Sequence, residues 1–198
     1  MIAARSVRQI SIGLMAVAIA GCGTTAPARF YTLQSVAAAG GAPAAHTAVM
    51  VGPVSIPAAD DQPQIVVEVA PNRVEIDEFN RWAAPLNDSI ARVVAGNLST
   101  LLDTPNVATW PLANFSADYR VTIDVQGFQS IKGQAAVLDA VWVVSQIASG
   151  VSRSGRTVAR EPLQGDGFDA LAAAHSLALA RMSGDISTVI REEAERQR

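Results

Sequence analysis

The segment YRVTIDVQ, residues 119–126, alternates apolar and polar side chains without exception. Successive side chains of a strand point to opposite faces, so one face of this segment is apolar, made of Tyr119, Val121, Ile123 and Val125. This pattern is typical of a half-buried strand in an antiparallel sheet that is covered on one side. The segment AAVLDAVWVVSQI, residues 135–147, is apolar on both faces, which predicts a central strand.

Two further segments carry apolar residues at helical spacing. The first begins after Pro85, a residue favoured at the first helical position, and ends near residues 103–106. The second runs from about residue 169 to residue 193, with Asp166 as a suitable N-cap and His175 inside its apolar stripe. The apolar positions are Leu86, Ile90, Val93, Val94, Leu98 and Leu101 in the first, and Phe168, Leu171, Ala172, Leu179, Met182, Ile186, Val189 and Ile190 in the second.

Shorter strand-like segments complete the pattern. Pro71 and Asn72 suggest a hairpin turn, the pair Gly52-Pro53 suggests an edge strand or a bulge, and residues 149–157 read as a polar loop. The predicted short strands are residues 29–36, 49–57, 64–70, 73–79, 107–111 and 158–164. These elements predict a single α+β domain with a mainly antiparallel, mixed sheet and two helices packed on one face.

The charge balance and the cysteine count exclude several classes of protein. The net charge is −3 and Lys132 is the only lysine, whereas a protein that tracks nucleic-acid phosphates needs a basic stripe. The single cysteine rules out an internal disulfide and a thiolate-rich zinc site. No phosphate-cradling glycine loop is present, and GDGFD has too few oxygen ligands in register for an EF-hand. The sequence therefore predicts no nucleic acid, no metal and no cofactor.

The N-terminus has the form of a processing signal. Arg5 and Arg8 precede an apolar stretch, residues 10–20, that is too short to span a bilayer. Cys22 follows in the sequence IAGC, which resembles the bacterial lipobox; the alternative is a buried free cysteine after an ordinary signal. We expect a signal peptide at residues 1–21, acylation of Cys22, a tether at residues 22–29 that reaches at most ~25 Å, and a folded domain at residues 30–198.

The segment NRVEIDEFNRWAAPL, residues 72–86, concentrates acids, arginines and aromatics. On a strand, Glu75 and Asp77 share a face about 6.5–7 Å apart, a separation found in inverting glycosidases. Any solvated strand face has the same spacing, and nearby arginines keep both acids ionised, so we favour a solvated face followed by Phe79 and Trp82 against the next helix. Elsewhere, His175 and Ser176 are adjacent on a helix and point about 100° apart, so they cannot pair as base and nucleophile.

Several segments together resemble one family. They are the lipobox cysteine, FYTL at residues 30–33, VGPVSIP at 51–57, RVEIDEFNRWAAPL at 73–86 and AAHSLALARMSGDI at 173–186. In this order they resemble the PqiC-type lipoproteins, the auxiliary lipoprotein components of ABC-type and paraquat-inducible transport systems. The resemblance spans nearly the whole mature chain. The low-complexity loop at 37–48 and Pro71 at the hairpin tip depart from the family pattern.

The resemblance implies a non-enzymatic role in lipid transport between the two membranes of a Gram-negative bacterium. It implies a partner that carries MCE domains, a ring-like homo-oligomer, and attachment to the periplasmic face of the outer membrane, which Gly23 after the cysteine also favours. The candidate partner or self-association surface is Arg73, Glu75, Asp77, Arg81 and Trp82. Two alternatives remain: an outer-membrane lipoprotein that activates a cell-wall synthase, and a periplasmic hydrolase.

Overall fold

The computed structural model describes residues 26–41, 44 and 47–196, which form eight strands and two helices. The signal peptide and Cys22 lie outside the described residues. The elements are β1 (Arg29–Tyr31), β2 (Val49–Ser55), β3 (Gln64–Ala70), β4 (Arg73–Trp82), α1 (Leu86–Leu102), β5 (Val107–Thr109), β6 (Tyr119–Ile131), β7 (Ala135–Gln146), β8 (Ser152–Pro162) and α2 (Gly167–Glu195).

The strand β6 organises the sheet. On one side it pairs antiparallel with β7, which pairs antiparallel with β8. On the other side it pairs in parallel with β2 near its start and with β3 near its end, so the sheet divides into a β2–β5 branch and a β3–β4–β1 branch. The two longest pairings are antiparallel, which confirms a mainly antiparallel, mixed sheet.

Both helices pack on the sheet and on each other. The helix α1 contacts β2 and β5, and α2 contacts β7 and β8, with one continuous core beneath them. The apolar face predicted for β6 is buried in that core, and β7 has a neighbour on each side, so both predictions are confirmed. Neither helix in the described part of the chain is long and apolar enough to cross a membrane.

The predicted loop at residues 149–157 is wrong from Ser152 onward. The strand β8 begins at Ser152 and pairs with β7 residue by residue, from Ser145 opposite Ser152 to Ala135 opposite Pro162. Gly155 lies opposite Trp142, and a Cβ added to Gly155 would come within 3.0 Å of the indole ring. The glycine therefore makes room for an aromatic ring on the facing strand, and is not a turn residue.

The strand β4 is longer and less regular than predicted. Gln64 pairs with Arg81 and Val66 pairs with Ile76, so an advance of two residues along β3 corresponds to five residues along β4. The pairing of the two strands is therefore interrupted between these positions. The β2 strand also shifts register around the Gly52-Pro53 pair, which confirms the bulge predicted there. Asp166 directly precedes α2 as predicted, but its side chain makes no capping hydrogen bond.

Candidate functional site

The segment 72–86 contains the β3–β4 turn, all of β4 and the start of α1. Trp82 is 7 % exposed, and its ring meets the rings of Phe128 and His175 edge to face at 6.1 and 6.0 Å. Its place on an association surface is therefore corrected, because the side chain belongs to the core of the folded chain. Phe79 is 41 % exposed, so the expectation that it packs against the next helix is wrong.

The other four candidates for an association surface remain accessible. Arg73 and Glu75 are exposed, and Asp77 and Arg81 are half-buried. Between them, Val74 and Ile76 are 60 % and 50 % exposed, although both are apolar. Two exposed apolar residues on β4 indicate an interaction site more strongly than a single one would, because contiguous apolar surface marks such sites.

Asp77 organises the irregular part of β4. Its Oδ1 accepts hydrogen bonds from the backbone N–H groups of Phe79 and Asn80, at 2.9 and 2.8 Å, and from the side-chain amide of Asn80 at 2.8 Å. The carboxylate thus satisfies two backbone N–H groups, those of Phe79 and Asn80, that have no partner on β3 where the ladder is interrupted. Asp77 therefore has a structural role, which the sequence spacing alone did not reveal.

Glu75 and Asp77 do not have the electrostatics of a catalytic pair. Partial burial pushes the pKa of the Asp77 carboxyl upward, but the hydrogen bonds from Asn80 and Phe79 and the charge of Lys132 outweigh it and hold that pKa below its usual value. Glu75 lies 3.9 Å from the Lys132 ammonium in an exposed ion pair. The general acid of a glycosidase needs a raised pKa, and Asp77, whose pKa is lowered, does not meet that requirement.

A groove lies beside these residues, between β4, the β6–β7 turn and the first turn of α2. It encloses about 320 Å³. Glu75 pairs with the buried Val67, so it faces the same side of the sheet as the groove floor. The apolar lining is Val67, Ile76, Leu163, Phe168 and Leu171, and the charged lining is Glu75, Asp77 and Lys132.

A histidine–serine pair lies in the core, and the serine that His175 contacts is Ser130, not the adjacent Ser176. His175 Nε2 and Ser130 Oγ are joined by a hydrogen bond of 2.9 Å, and the imidazole stacks on Phe128 with ring centroids 3.9 Å apart. Both residues are buried, and the pocket that Ser130 lines holds only about 10 Å³, which leaves no room for a substrate. The prediction that His175 lies in the apolar stripe is confirmed, and burial lowers the pKa of His175 to about 3.

Ser176 has its own partners. Its hydroxyl donates to the carbonyl of Ala172 and accepts from the backbone N–H of Gln34. In the residues that the structure describes, no three His, Cys, Asp or Glu side chains are grouped to hold a metal ion. The arrangement that remains is an accessible charged and apolar strand beside a groove, which suits binding.

The comparison with protein families identifies the chain. The model of the family described as "ABC-type transport auxiliary lipoprotein component" matches residues 31–187, which is most of the 198 residues. The chain belongs to this family. The match contains every residue of the groove and the whole sheet from the last residue of β1 onward. No curated protein matches the sequence.

Solved structures share the fold of this family member. Protein XCC0632 from Xanthomonas campestris, of family-model DUF330, is 22 % identical with a TM-score of 0.69, over 86 % of this chain and 100 % of that chain. An uncharacterized protein has the same identity and TM-score over 83 % and 99 % of the two chains. A PelC dodecamer from Paraburkholderia phytofirmans is 12 % identical with a TM-score of 0.40, over 76 % of this chain and 90 % of that chain.

Proposed function

We propose that this protein is a non-enzymatic component of an MCE-type intermembrane lipid transport complex, held at the periplasmic face of the outer membrane by an acylated Cys22. In this role the domain docks or receives the tip of the MCE-domain partner. The observation that carries the proposal is the family match over residues 31–187, because it assigns a lipoprotein that assists an ABC-type transporter. The short apolar segment before the cysteine supports the anchor.

The position of β1 supports close attachment to a membrane. Arg29, Phe30 and Tyr31 pair in parallel with Asn80, Arg81 and Trp82, the last three residues of β4. A tether of residues 22–29 spans at most ~25 Å when extended. The strand β1 and the end of β4 therefore lie close to the bilayer in this proposal.

The docking surface that we propose is the accessible part of β4, namely Arg73, Val74, Glu75, Ile76, Asp77, Phe79 and Arg81. Exposed apolar side chains and arginines are typical of the centre of a protein interface, and the acidic side chains beside them suit its polar rim. The same surface serves self-association into a homo-oligomer if the partner engages several copies. Phe30 on the neighbouring β1 is 65 % exposed and extends the apolar area.

Co-purification tests the proposal. The full-length protein, solubilised from native membranes in mild detergent, is expected to capture a protein with MCE domains. Capture of a cell-wall synthase in its place would favour the alternative function and overturn the transport assignment. The variant Cys22→Ala is expected to leave the membrane fraction while the folded domain persists.

Charge reversal tests the surface. The double variant Arg73→Glu with Glu75→Lys is expected to reduce partner capture at least tenfold with an unchanged melting temperature, because both side chains are exposed. The matched control is Arg120→Glu, an exposed position on the polar face of β6. Asp77 is left unchanged, since its hydrogen bonds shape the strand. Full capture by the double variant would remove this surface from the proposal.

A further inference from the structure

The groove lies at one particular end of the domain. At this end β3 finishes and β6 turns into β7, and the Lys132 backbone N–H donates to the carbonyl of Glu68 at 3.0 Å. The end of β8 joins them, because the Leu163 N–H donates to the carbonyl of Gln134 at 3.0 Å, and α2 starts four residues later at Gly167. The groove is thus built where six elements meet, namely β3, β4, β6, β7, β8 and α2.

The strand β1 lies beside this groove. It runs parallel to β4, with Arg29 opposite Asn80, and the ring of Tyr31 lies 5.8 Å from the ring of Phe168, which lines the groove. The first described residue is Ala26, four residues after Cys22, and four extended residues span at most ~14 Å. If Cys22 carries the membrane anchor, as the proposed function holds, the groove lies within a short reach of the bilayer surface.

The chemistry of the groove suits an amphiphile. Its floor and walls are apolar, contributed by Val67, Leu163 and Leu171 among others, while charges lie at its edge. Its volume of about 320 Å³ is at the small end of ligand pockets, which are ~300–1,000 Å³, so it fits one hydrocarbon chain better than two. Each methylene that leaves water for the groove adds to the affinity, so a single acyl chain supplies enough contact to bind.

The edge of the groove carries more negative than positive side chains. Glu75 and Asp77 contribute two carboxylates there, and Lys132 contributes one ammonium. The excess negative charge is complementary to an ammonium, and the lysine is complementary to a phosphate beside it. A phospholipid with an ammonium headgroup carries both groups next to its acyl chains.

We propose that this groove takes one acyl chain of a bilayer phospholipid with an ammonium headgroup, with the ammonium at Glu75 and Asp77 and the phosphate at Lys132. The inference rests on the proposed anchoring of the chain, and it adds that this domain contacts the transported class of molecule directly. The phospholipid comes from the membrane in which the acylated Cys22 is anchored.

Photo-crosslinking tests the inference on the full-length protein reconstituted in phosphatidylcholine vesicles. The probe is phosphatidylethanolamine with a diazirine at the end of one acyl chain, and labelled peptides are located by mass spectrometry. We expect labelling of β4 near Ile76 and of the first turn of α2 near Leu171. Leu163→Trp, which fills the groove, is expected to reduce this labelling at least fivefold, whereas Val158→Trp, at an exposed position on β8 that does not line the groove, leaves labelling unchanged.

The headgroup and the source of the chain are tested with matched probes. Glu75→Lys is expected to reduce labelling by the phosphatidylethanolamine probe at least threefold, and Glu78→Lys, exposed on the same strand, is expected to leave it unchanged. Phosphatidylglycerol with the same diazirine chain is expected to label wild-type protein at least threefold less. Equal labelling by both phospholipids, or stronger labelling by the free diazirine fatty acid, would overturn the headgroup assignment.

Labelling that is confined to residues 1–25, or that survives Leu163→Trp in a variant with a wild-type melting curve, would overturn the groove as the lipid site. If Leu163→Trp melts early, the Glu75→Lys and Glu78→Lys comparison decides the question, because both positions are exposed. The proposed function has a separate readout, since capture of an MCE-domain protein in detergent does not require the probe. Partner capture without groove labelling would reject this inference and leave the proposed function standing.

Discussion

His175 makes the stability of this protein depend on pH above the range in which carboxylates titrate. Burial lowers the pKa of His175 from 6.5 to about 3, and the side chain lies between Phe128 and Trp82 with its Nε2 hydrogen-bonded to Ser130. The folded protein therefore keeps the imidazole neutral, whereas the unfolded chain protonates it below pH 6.5. Protonation favours the unfolded state, so stability is full above pH 6.5 and falls as the pH decreases towards 3.

The size of the effect follows from the two pKa values. Between pH 7 and pH 5 the unfolded chain gains about three-quarters of a proton that the folded chain does not bind, which lowers the free energy of unfolding by about 2 kcal/mol. Because a folded pKa of about 3 is well below pH 5, this difference depends almost entirely on the unfolded value of 6.5. Carboxylates with ordinary unfolded pKa values contribute mainly below this window.

The assay is urea unfolding of wild type and His175→Gln at pH 7 and pH 5. The variant loses the stacking on Phe128, so it is less stable at both pH values, but its glutamine cannot titrate. We expect the loss of unfolding free energy from pH 7 to pH 5 to be about 2 kcal/mol larger in wild type than in the variant. Equal losses in the two proteins would refute the argument that His175 is neutral and buried in the folded state.

Three substitutions test the fold around the site and are measured by thermal and urea unfolding. Gly155→Ala is expected to lower the free energy of unfolding by ~1–2 kcal/mol, because the added Cβ would press on the indole of Trp142. The control is Gly127→Ala, whose Cβ would meet only a side chain at 3.8 Å and which is expected to be neutral or slightly stabilising. A Gly155→Ala protein as stable as wild type would contradict the packing. Asn97→Ala is expected to cost ~1–3 kcal/mol, because the buried amide accepts from two backbone N–H groups and donates to a serine hydroxyl; an unchanged midpoint would show that water replaces it. Asp77→Ala is expected to cost ~1–2 kcal/mol through three lost hydrogen bonds, and no change would remove its structural role.

Elements with a strong period were predictable from the sequence. The alternation from Tyr119 to Val125 and the apolar stripe around His175 both identify faces that are buried in the core. In these segments the polarity of each side chain indicates the face on which it lies, because side chains return to the same face every two residues in a strand and every 3.6 residues in a helix. The resemblance carried by residues 73–86 likewise agrees with the family match.

Features that depend on distant partners were not predictable. The composition of SRSGRT is typical of a loop, and only the ring of Trp142 on the facing strand explains why Gly155 stands in a strand. The three hydrogen bonds of Asp77 require an irregular register between β3 and β4 that no short-range pattern specifies. Burial of Trp82 depends on Phe128 and His175, which are far along the chain.

The groove was missed for the same reason. Glu75 and Lys132 lie far apart in the sequence. Leu163 and Leu171 come close to them only because β8 ends beside the turn between β6 and β7. One feature of the sequence did point to this region, because the apolar Val74 and Ile76 alternate with charged residues. Both apolar side chains are exposed in the structure, whereas the charged Glu75 lies on the side of the sheet that faces the groove.

The intact mass of the native protein, extracted from bacterial membranes, tests the claim on which the function rests. We predict a mature chain that begins at Cys22 and carries additional mass corresponding to attached fatty acyl groups. A chain that retains residues 1–21, or one that begins elsewhere and bears no acyl mass on Cys22, would contradict the account of a membrane-anchored transport component.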